Sequence, residues 1–330
     1  MESFQGKRAV VTGGGTGMGR ELALKLSAEG CSVALCDVSA ANMAETKRRC
    51  EETGKGTKIT THLCDVSDEK QVLAFRDAVA KAHGDHIHLL FNNAGIGGGG
   101  SFVAGDRAEW EKTFAVCFWG VVHCTRAFLP LLTTSSEAVI VNTSSVNGFW
   151  ASLGPGVPHT AYSSAKFAVK GFSEALIEDL RVHAPHVRVA VVMPGHIGTS
   201  IVANSRSVLG KPPFLEMSAA EVAENRALLK ARGLPVDDWS DDLIRMALDQ
   251  FQTAFEAGAP LSARDAATII LDGVRAGRWR ILVGEDAHVL DEKIRRAPEN
   301  AYDGAFYQEL RSSGLFGGVG SEAIPTKGSD

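Results

Sequence analysis

The sequence predicts an α/β fold, a doubly wound parallel sheet, on three observations. Strand-like and helix-like runs alternate over roughly the first 200 residues, the rhythm of a parallel sheet wrapped by helices on both faces. The runs "AVIVNTS" (138–144) and "VRVAVVM" (187–193) are too apolar to have a solvent face, as interior strands of such a sheet require. A glycine-rich turn, "TGGGTGMG" (12–19), joins the first strand to the first helix.

In chain order, "RAVVT" (8–12) is a short β-branched run, after which Met18, Leu22 and Leu26 recur at helical spacing until Gly30 stops the helix. A second strand, "SVALCD", ends at Asp37, and Ser39 is placed to cap the helix that follows. "TTHLCD" ends a third strand at Asp65, and Ser67 can cap the next helix, which carries Val72, Phe75 and Val79. "HLLFN" is the fourth strand. Asp106 and Glu109 form a capping-box-like start to a long helix whose Trp110, Phe114, Phe118 and Val121 make one apolar stripe, a core or subunit-contact face. Strands 138–144 and 187–193 flank another long helix, roughly 161–183.

After Gly198 the rhythm changes. Two amphipathic segments follow, one near 218–232 beginning "SAAE" and one near 240–257 with Ile244, Leu248, Phe251 and Phe255 in line. They read as a helical substrate lid inserted over about 200–258. "SARD" (262–265) restarts a helix and "RILVG" (280–284) is the last strand, within a C-terminal extension over about 260–330. The stretch 317–330 lacks the apolar content to fold and is expected to be disordered. Residues 1–330 are expected to form a single domain without internal repeats.

With 45% hydrophobic and 22% charged residues among 330, the chain can bury a substantial core. A net charge of −5 without any basic block argues against nucleic acid as a partner. There is no run of about 18 uncharged apolar residues, and the start "MESFQGKRAVV" has no signal-peptide pattern, so no membrane association and a cytoplasmic location are expected. The six cysteines (31, 36, 50, 64, 117 and 124) show no C-x-x-C pair, so neither zinc nor a disulfide framework is expected and the thiols should be reduced. His83, His86 and His88 share no helix or strand face; a solvated turn is expected there rather than a metal site, and no metal is expected elsewhere.

The glycines at 13, 17 and 19 are spaced G-x-x-x-G-x-G rather than G-x-G-x-x-G. Such a turn lets backbone N–H groups and a helix N-terminus approach a pyrophosphate unobstructed, though a glycine turn can also be purely structural. Asp37, ending the second strand, can accept hydrogen bonds from adenosine ribose hydroxyls and repel a 2′-phosphate; it could equally cap a turn. Thr16 stands where an Arg or Lys would meet that extra phosphate, so NAD is expected over NADP. In "YSSAK", Tyr162 and Lys166 lie one helical turn apart on the same face. A phenol, with a pKa near about 10, becomes a base near neutrality only beside positive charge, which Lys166 can supply; the plain alternative is a surface pair. Ser145, just past an apolar strand, belongs at the carboxyl end of the sheet, where ligands of such folds bind.

Taken together, these residues resemble the short-chain dehydrogenase/reductase family, in the branch with the G-x-x-x-G-x-G loop. The matching segments run in order: "TGGGTGMG" (12–19), Asp37, "CDV" (64–66), "NNAG" (92–95), "NTSS" (142–145), "YSSAK" (162–166) and "PGHIGT" (194–199). The resemblance implies a Rossmann fold and a nicotinamide cofactor on the loop residues Gly13, Thr16, Gly17, Met18 and Gly19. It implies Asp37 at the ribose, Asp65 and Val66 at the adenine, and Asn92, Ala94 and Gly95 along the cofactor. Pro194, Gly195, Ile197 and Thr199 would surround the nicotinamide, the last two meeting its carboxamide. Ser145 would hold the substrate oxygen, and Tyr162 would exchange its proton and also contact the cofactor. Lys166 would lower the Tyr162 pKa and bind the nicotinamide ribose. The implied activity is NAD-dependent interconversion of a secondary alcohol and a ketone by a homodimer or homotetramer, with the helices from 106 and 161 as contact faces. Phe149, Trp150 and the apolar lid segments point to a hydrophobic small-molecule substrate.

One departure stands out. The family carries a catalytic Asn in a segment resembling "V-N-x-x-G", where this chain reads "VCFWG" with Cys117. A thiol is a poor hydrogen-bonding substitute for a carboxamide, so a non-catalytic or weakly active NAD(H)-binding protein is the alternative reading. Cys117 is not expected to be a nucleophile, since buried cysteines on apolar stripes are inert packing groups. Asn147 could contact substrate or cap a loop, and "ASLGPGVPHT" is expected to shape a pocket wall.

Overall fold

The computed structural model describes residues 1–313 apart from Lys55, Pro155 and Arg232; the tail expected to be disordered lies outside the described residues. β1 (Arg8–Thr12), α1 (Gly17–Ala28), β2 (Ser32–Asp37), α2 (Ala40–Thr53), β3 (Ile59–Leu63), α3 (Glu69–His83) and β4 (Leu89–Asn92) alternate as the sequence predicts. A long helix follows in three stretches, α4 (Arg107–Phe114), a π-helical turn (Ala115–Trp119) and α5 (Gly120–Thr133). Next come β5 (Ala138–Thr143), α6 (Thr160–His183), β6 (Val187–Pro194) and the short β7 (Ile197–Gly198). The inserted segment holds α7 (Ile201–Val208), α8 (Ala219–Ala231) and α9 (Asp241–Ala257). β8 (Leu261–Ser262), α10 (Ala263–Arg275), β9 (Arg280–Val283), α11 (Glu285–Arg296) and α12 (Gly304–Ser312) complete the described chain.

Among the described residues, seven strands form one parallel sheet in the order β3-β2-β1-β4-β5-β6-β9. The winding reverses between β1 and β4, which opens a crevice at the carboxyl ends of those strands. Alternating side chains feed two cores: Val11, Val33 and Leu35 meet Leu22, Leu26 and Ile270 on one face. Val10, Leu90 and Ile140 meet Phe75, Phe128 and Leu132 on the other.

Local details differ from the expectations in instructive ways. Ser39 caps α2 by accepting from the Asn42 amide (3.3 Å), but the cap of α3 is Asp68, which accepts from Lys70 N (2.9 Å) and Gln71 N (3.4 Å). Ser67 instead donates to the Asp65 carboxylate (2.7 Å). Asp106 caps α4 through Ala108 N (2.9 Å), yet no capping box closes, because Glu109 turns away to accept from Gly99 N (3.1 Å) and to pair with Lys211. His83 and His88 are buried rather than in a solvated turn; burial pushes both down to about 4. Their rings are taken up by Thr60 and by the Arg8 amide. No described His, Cys, Asp and Glu group has the arrangement of a metal site, and all six cysteines are free and buried.

By length and composition alone the continuous helix Arg107–Thr133 could cross a membrane, but half of its most apolar stretch is buried in the protein, against the sheet and α6. Its stripe is built from Trp110 stacked on Phe114 (centroids 5.4 Å, 7°), then Phe118, which meets Phe172 of α6 edge-on.

The insert leaves and re-enters the fold at one point, since β7 and β8 pair in parallel, Ile197 with Leu261 and Gly198 with Ser262. Phe214, Met217, Trp239 and Ile244 give it a small core of its own. Beyond β9, α11 and α12 pack Leu290, Phe306 and Leu310 against Trp150. The Trp150 indole donates to the Ala301 carbonyl (2.7 Å), which seats the C-terminal extension on the loop after β5.

Candidate active site

The glycine turn is bare backbone for two separate reasons. Gly13 (φ +65°) and Gly17 (φ +51°) adopt the left-handed region that side chains disfavour. Gly19 is conformationally ordinary, but a Cβ there would lie 2.1 Å from the Gly13 carbonyl oxygen, so α1 can approach the turn only without a side chain. The turn is tied to β2 by Asp37, whose Oδ2 accepts from Gly15 N (2.9 Å) and Oδ1 from Ser39 N (3.0 Å).

A groove of about 220 Å³ runs along this turn. Of the residues expected at the cofactor, Gly13, Thr16, Gly17, Met18, Asp37, Asp65, Val66, Ala94, Gly95 and Thr199 line it. No described Lys or Arg does; Arg20, the nearest basic residue in sequence, is spent on the carbonyl of Gly15 and the hydroxyl of Thr46. Burial works to raise the Asp65 pKa, but Lys112 and Ser67 outweigh it and hold the carboxyl below its ordinary range.

Two expectations need correction. Gly19 is not among the residues that line the groove, and its missing side chain is what lets α1 approach the turn. Asn92 is 2% exposed and points away, donating to Thr125 Oγ1 (3.0 Å) and Asn142 Oδ1 (2.8 Å) and so tying β4 to β5 and α5. Its neighbour Asn93 lines the site instead, its amide bonded to the Thr12 carbonyl (3.1 Å), because successive residues at a strand end face opposite ways.

A second cavity, of about 460 Å³, meets the groove at Met18, Asn93, Gly95, Thr199 and Ile201, which line both. Ser145, Tyr162, Lys166, Pro194, Gly195 and Ile197 line this cavity. Ser145 opens a short 3₁₀ turn and its hydroxyl accepts from Asn147 N (3.1 Å). Asn147 is a scaffold residue, donating to the carbonyls of Trp150 (3.0 Å) and Ser152 (3.1 Å). Lys166, 3% exposed, donates to the Thr143 carbonyl (2.8 Å) and sits 5.4 Å from the centre of the Tyr162 ring.

Burial raises the Tyr162 phenol well above its ordinary range, with the Cys117 thiol adding to the rise and a hydrogen bond with Ser145 opposing it. The lowering expected from Lys166 is not part of this balance, since its ammonium is turned to the Thr143 carbonyl and burial pulls its own pKa down. Cys117 lies on the π-helical turn and donates to the Ile96 carbonyl (3.1 Å). A Cβ on Gly95 would stand 3.5 Å from the Lys166 nitrogen and 3.8 Å from the Cys117 sulfur, which places thiol and ammonium around one bare glycine.

Several other wall residues had no sequence signal; Phe251 and Phe255, in the apolar stripe of the expected lid, are the exceptions. From the insert, Asn204 donates to Thr16 Oγ1 (2.8 Å) and Ser205 accepts from Gly97 N (2.8 Å), so α7 lies across the junction of the two cavities. Phe251 and Phe255 add apolar wall, as do Leu290, Tyr307 and Leu310 of the extension. Asp286, 2% exposed, accepts from His196 N (2.6 Å) and fixes the turn at Pro194–Gly195; burial raises its carboxyl pKa.

A short chain dehydrogenase family profile matches residues 7–209. The SadH protein of Mycobacterium tuberculosis is 34% identical over 315 residues, 96% of this chain and 97% of its own. A short chain dehydrogenase/reductase from Burkholderia phymatum, solved in complex with NAD, superposes with a TM-score of 0.71 at 30% identity, covering 91% of this chain and 95% of that one. A metagenomic short-chain oxidoreductase in complex with NADP matches with a TM-score of 0.52 at 32% identity over 58% of this chain and 83% of its own. Profile, full-length relative and sheet order agree: the chain belongs to the short-chain dehydrogenase/reductase family of oxidoreductases.

Proposed function

We propose that the protein is an NAD-dependent dehydrogenase interconverting a secondary alcohol and a ketone on a hydrophobic small molecule. The observation that carries this reading is the meeting of Ser145, Tyr162 and Lys166 where the groove opens into the apolar cavity. The groove suits a nicotinamide dinucleotide: bare glycine backbone at the N-terminus of α1 suits the pyrophosphate, and each Asp37 oxygen keeps a lone pair for a ribose hydroxyl. Asp65 and Val66 would flank the adenine, with Pro194, Gly195, Ile197 and Thr199 around the nicotinamide. Bound there, the cofactor supplies the hydride acceptor or donor. Ser145 holds the substrate oxygen, and the Tyr162 hydroxyl takes the proton in oxidation and returns it in reduction. Lys166, 5.4 Å from the centre of the Tyr162 ring, would bind the nicotinamide ribose, and would stabilise a phenolate only once its ammonium leaves the Thr143 carbonyl.

NAD is favoured over NADP because the groove presents the Asp37 carboxylate and no described basic residue. Turnover of a panel of secondary alcohols, followed by reduced-cofactor absorbance with NAD and with NADP, is expected to favour NAD. Asp37→Asn keeps an acceptor for Gly15 N but removes the charge, so the NAD:NADP ratio of kcat/KM should fall on the order of 10- to 100-fold, the effect of one Coulomb repulsion at a partly solvated site. An unchanged ratio would sink the assignment of that preference to Asp37.

The second reading, a cofactor-binding protein of little activity, rests on Cys117, whose thiol is committed to the Ile96 carbonyl. We further propose a homo-oligomer through the long helices, since Trp119 (47% exposed) and Phe167 (41%) stand on the outer faces of the 107–133 helix and α6. The double variant Trp119→Glu with Phe167→Glu should sediment at a lower mass than the wild type; equal masses would rule out this face.

A further inference from the structure

His159 stands in the cavity wall three residues before Tyr162, and its ring lies against the phenol ring with centroids 4.7 Å apart at 37°. The backbone beneath it is pinned: Thr160 N and Oγ1 both bond the Gly100 carbonyl (2.9 and 3.0 Å), and Ala161 N bonds that of Gly99 (3.1 Å). The Trp110 indole adds a bond to Thr160 Oγ1 (3.0 Å). The backbone that carries the ring is therefore fixed at the start of α6. Burial pushes its pKa down to about 4, so near neutrality the ring carries one N–H donor and one lone pair. Neither ring nitrogen has a hydrogen-bond partner among the described residues, and the only aromatic ring it meets among them is that of Tyr162. The cavity it lines is mostly apolar, with Val146, Leu153, Phe255 and Leu310 in its wall, although Glu109, Arg206 and Lys211 also reach it.

A neutral donor–acceptor group lining a mostly apolar cavity, without a hydrogen-bond partner among the described residues and with its ring against that of Tyr162, is arranged for a ligand. We infer that His159 hydrogen-bonds a second oxygen of the substrate, one or two carbons from the reacting centre, so that the enzyme selects vicinal or β-oxygenated alcohols and ketones with an otherwise apolar body. The inference rests on the proposed dehydrogenase reading for the position of the reacting oxygen at Ser145 and Tyr162. The contact between the two rings keeps the two polar points close, which favours substrates whose oxygens are near neighbours over those with oxygens at opposite ends.

Two probes test it: trans-1,2-cyclohexanediol, and cyclohexanol as the same body without the second oxygen. With NAD, the wild type should favour the diol by about 10-fold or more in kcat/KM. His159→Phe keeps the ring against Tyr162 and removes the nitrogens. It should lower kcat/KM on the diol by about 10- to 100-fold while changing that on cyclohexanol by less than about 3-fold. Equal losses on both probes, or no preference in the wild type, would overturn the inference and leave the ring as a prop for Tyr162. Histidine ring-nitrogen NMR gives a readout independent of turnover, with the His159 signal assigned by its loss in His159→Phe. Its shift with the diol but not with cyclohexanol supports the contact even if neither probe is oxidised, in which case only the dehydrogenase reading falls. Turnover without any shift leaves the dehydrogenase and removes the His159 contact.

Discussion

Tyr162→Phe is expected to bind NADH as tightly as the wild type and to lose turnover by about 10²- to 10⁴-fold, the usual worth of a positioned general acid–base group. The substitution removes one oxygen and leaves the ring that packs on His159 and covers Lys166, so fold and cofactor groove should persist. The wild-type profile supplies a second signature. Burial and the Cys117 thiol hold the phenol above its ordinary range, so the fraction able to accept a proton grows as pH rises, and kcat/KM for alcohol oxidation should climb through the alkaline range. That rising limb should vanish in Tyr162→Phe. A variant that keeps wild-type rate and profile would remove Tyr162 from the chemistry. If the wild type itself is silent in both directions while binding NADH, the reading built on Cys117 takes over, and Cys117→Asn becomes the variant to assay.

Gly19→Ala should do more damage than its single methyl suggests. The new Cβ would stand 2.1 Å from the Gly13 carbonyl oxygen and 2.7 Å from the Asn93 amide nitrogen. The first is backbone and cannot rotate aside, so α1 and the turn must separate. Overpacking of this kind costs about 1–3 kcal/mol and sometimes more, and here the displaced atoms are those proposed to receive the pyrophosphate. NADH affinity should fall at least about 10-fold, the equivalent of roughly 1.4 kcal/mol, together with a lower melting temperature. Gly304→Ala is the control: it is exposed in the first turn of α12, with no side chain or remote backbone within 4 Å of its Cβ. It should leave binding and the melting temperature unchanged. Equal behaviour of the two variants in calorimetric titration with NADH would refute the packing role assigned to Gly19.

Much of this was legible because it is written locally. The strands, the helix stripe at Trp110, Phe114 and Phe118, and the pairing of Tyr162 with Lys166 follow from periodicities of two and 3.6 residues. The G-x-x-x-G-x-G turn was legible as a loop, but the reasons behind its glycines were not. Gly13 and Gly17 answer to backbone torsion and Gly19 to a neighbour across the turn, which spacing does not distinguish. The exchange of Asn92 for Asn93 is a register effect: one residue decides which face of β4 a side chain takes, and adjacent asparagines leave no pattern to read. Asp68 took the cap from Ser67 because Ser67 was drawn to Asp65 by a partner found only in the folded chain, Lys112. Asp286, Tyr307 and Asn204 reach the site from elements far along the chain, and long-range closure has no sequence period.

The rung between Ile197 and Leu261 makes the insert a detachable annex. Because its two ends share one ladder, the parallel sheet has no stake in the annex's length or shape, and the entropy of closing such a loop grows only slowly with added residues. The annex is nevertheless rooted at Ile197–Thr199, whose Ile197 lines the larger cavity and whose Thr199 lines both. A lineage can therefore remodel what the pocket admits while the sheet and its glycine turn stay still, and any rocking of α7–α9 is felt first at the turn proposed to meet the nicotinamide.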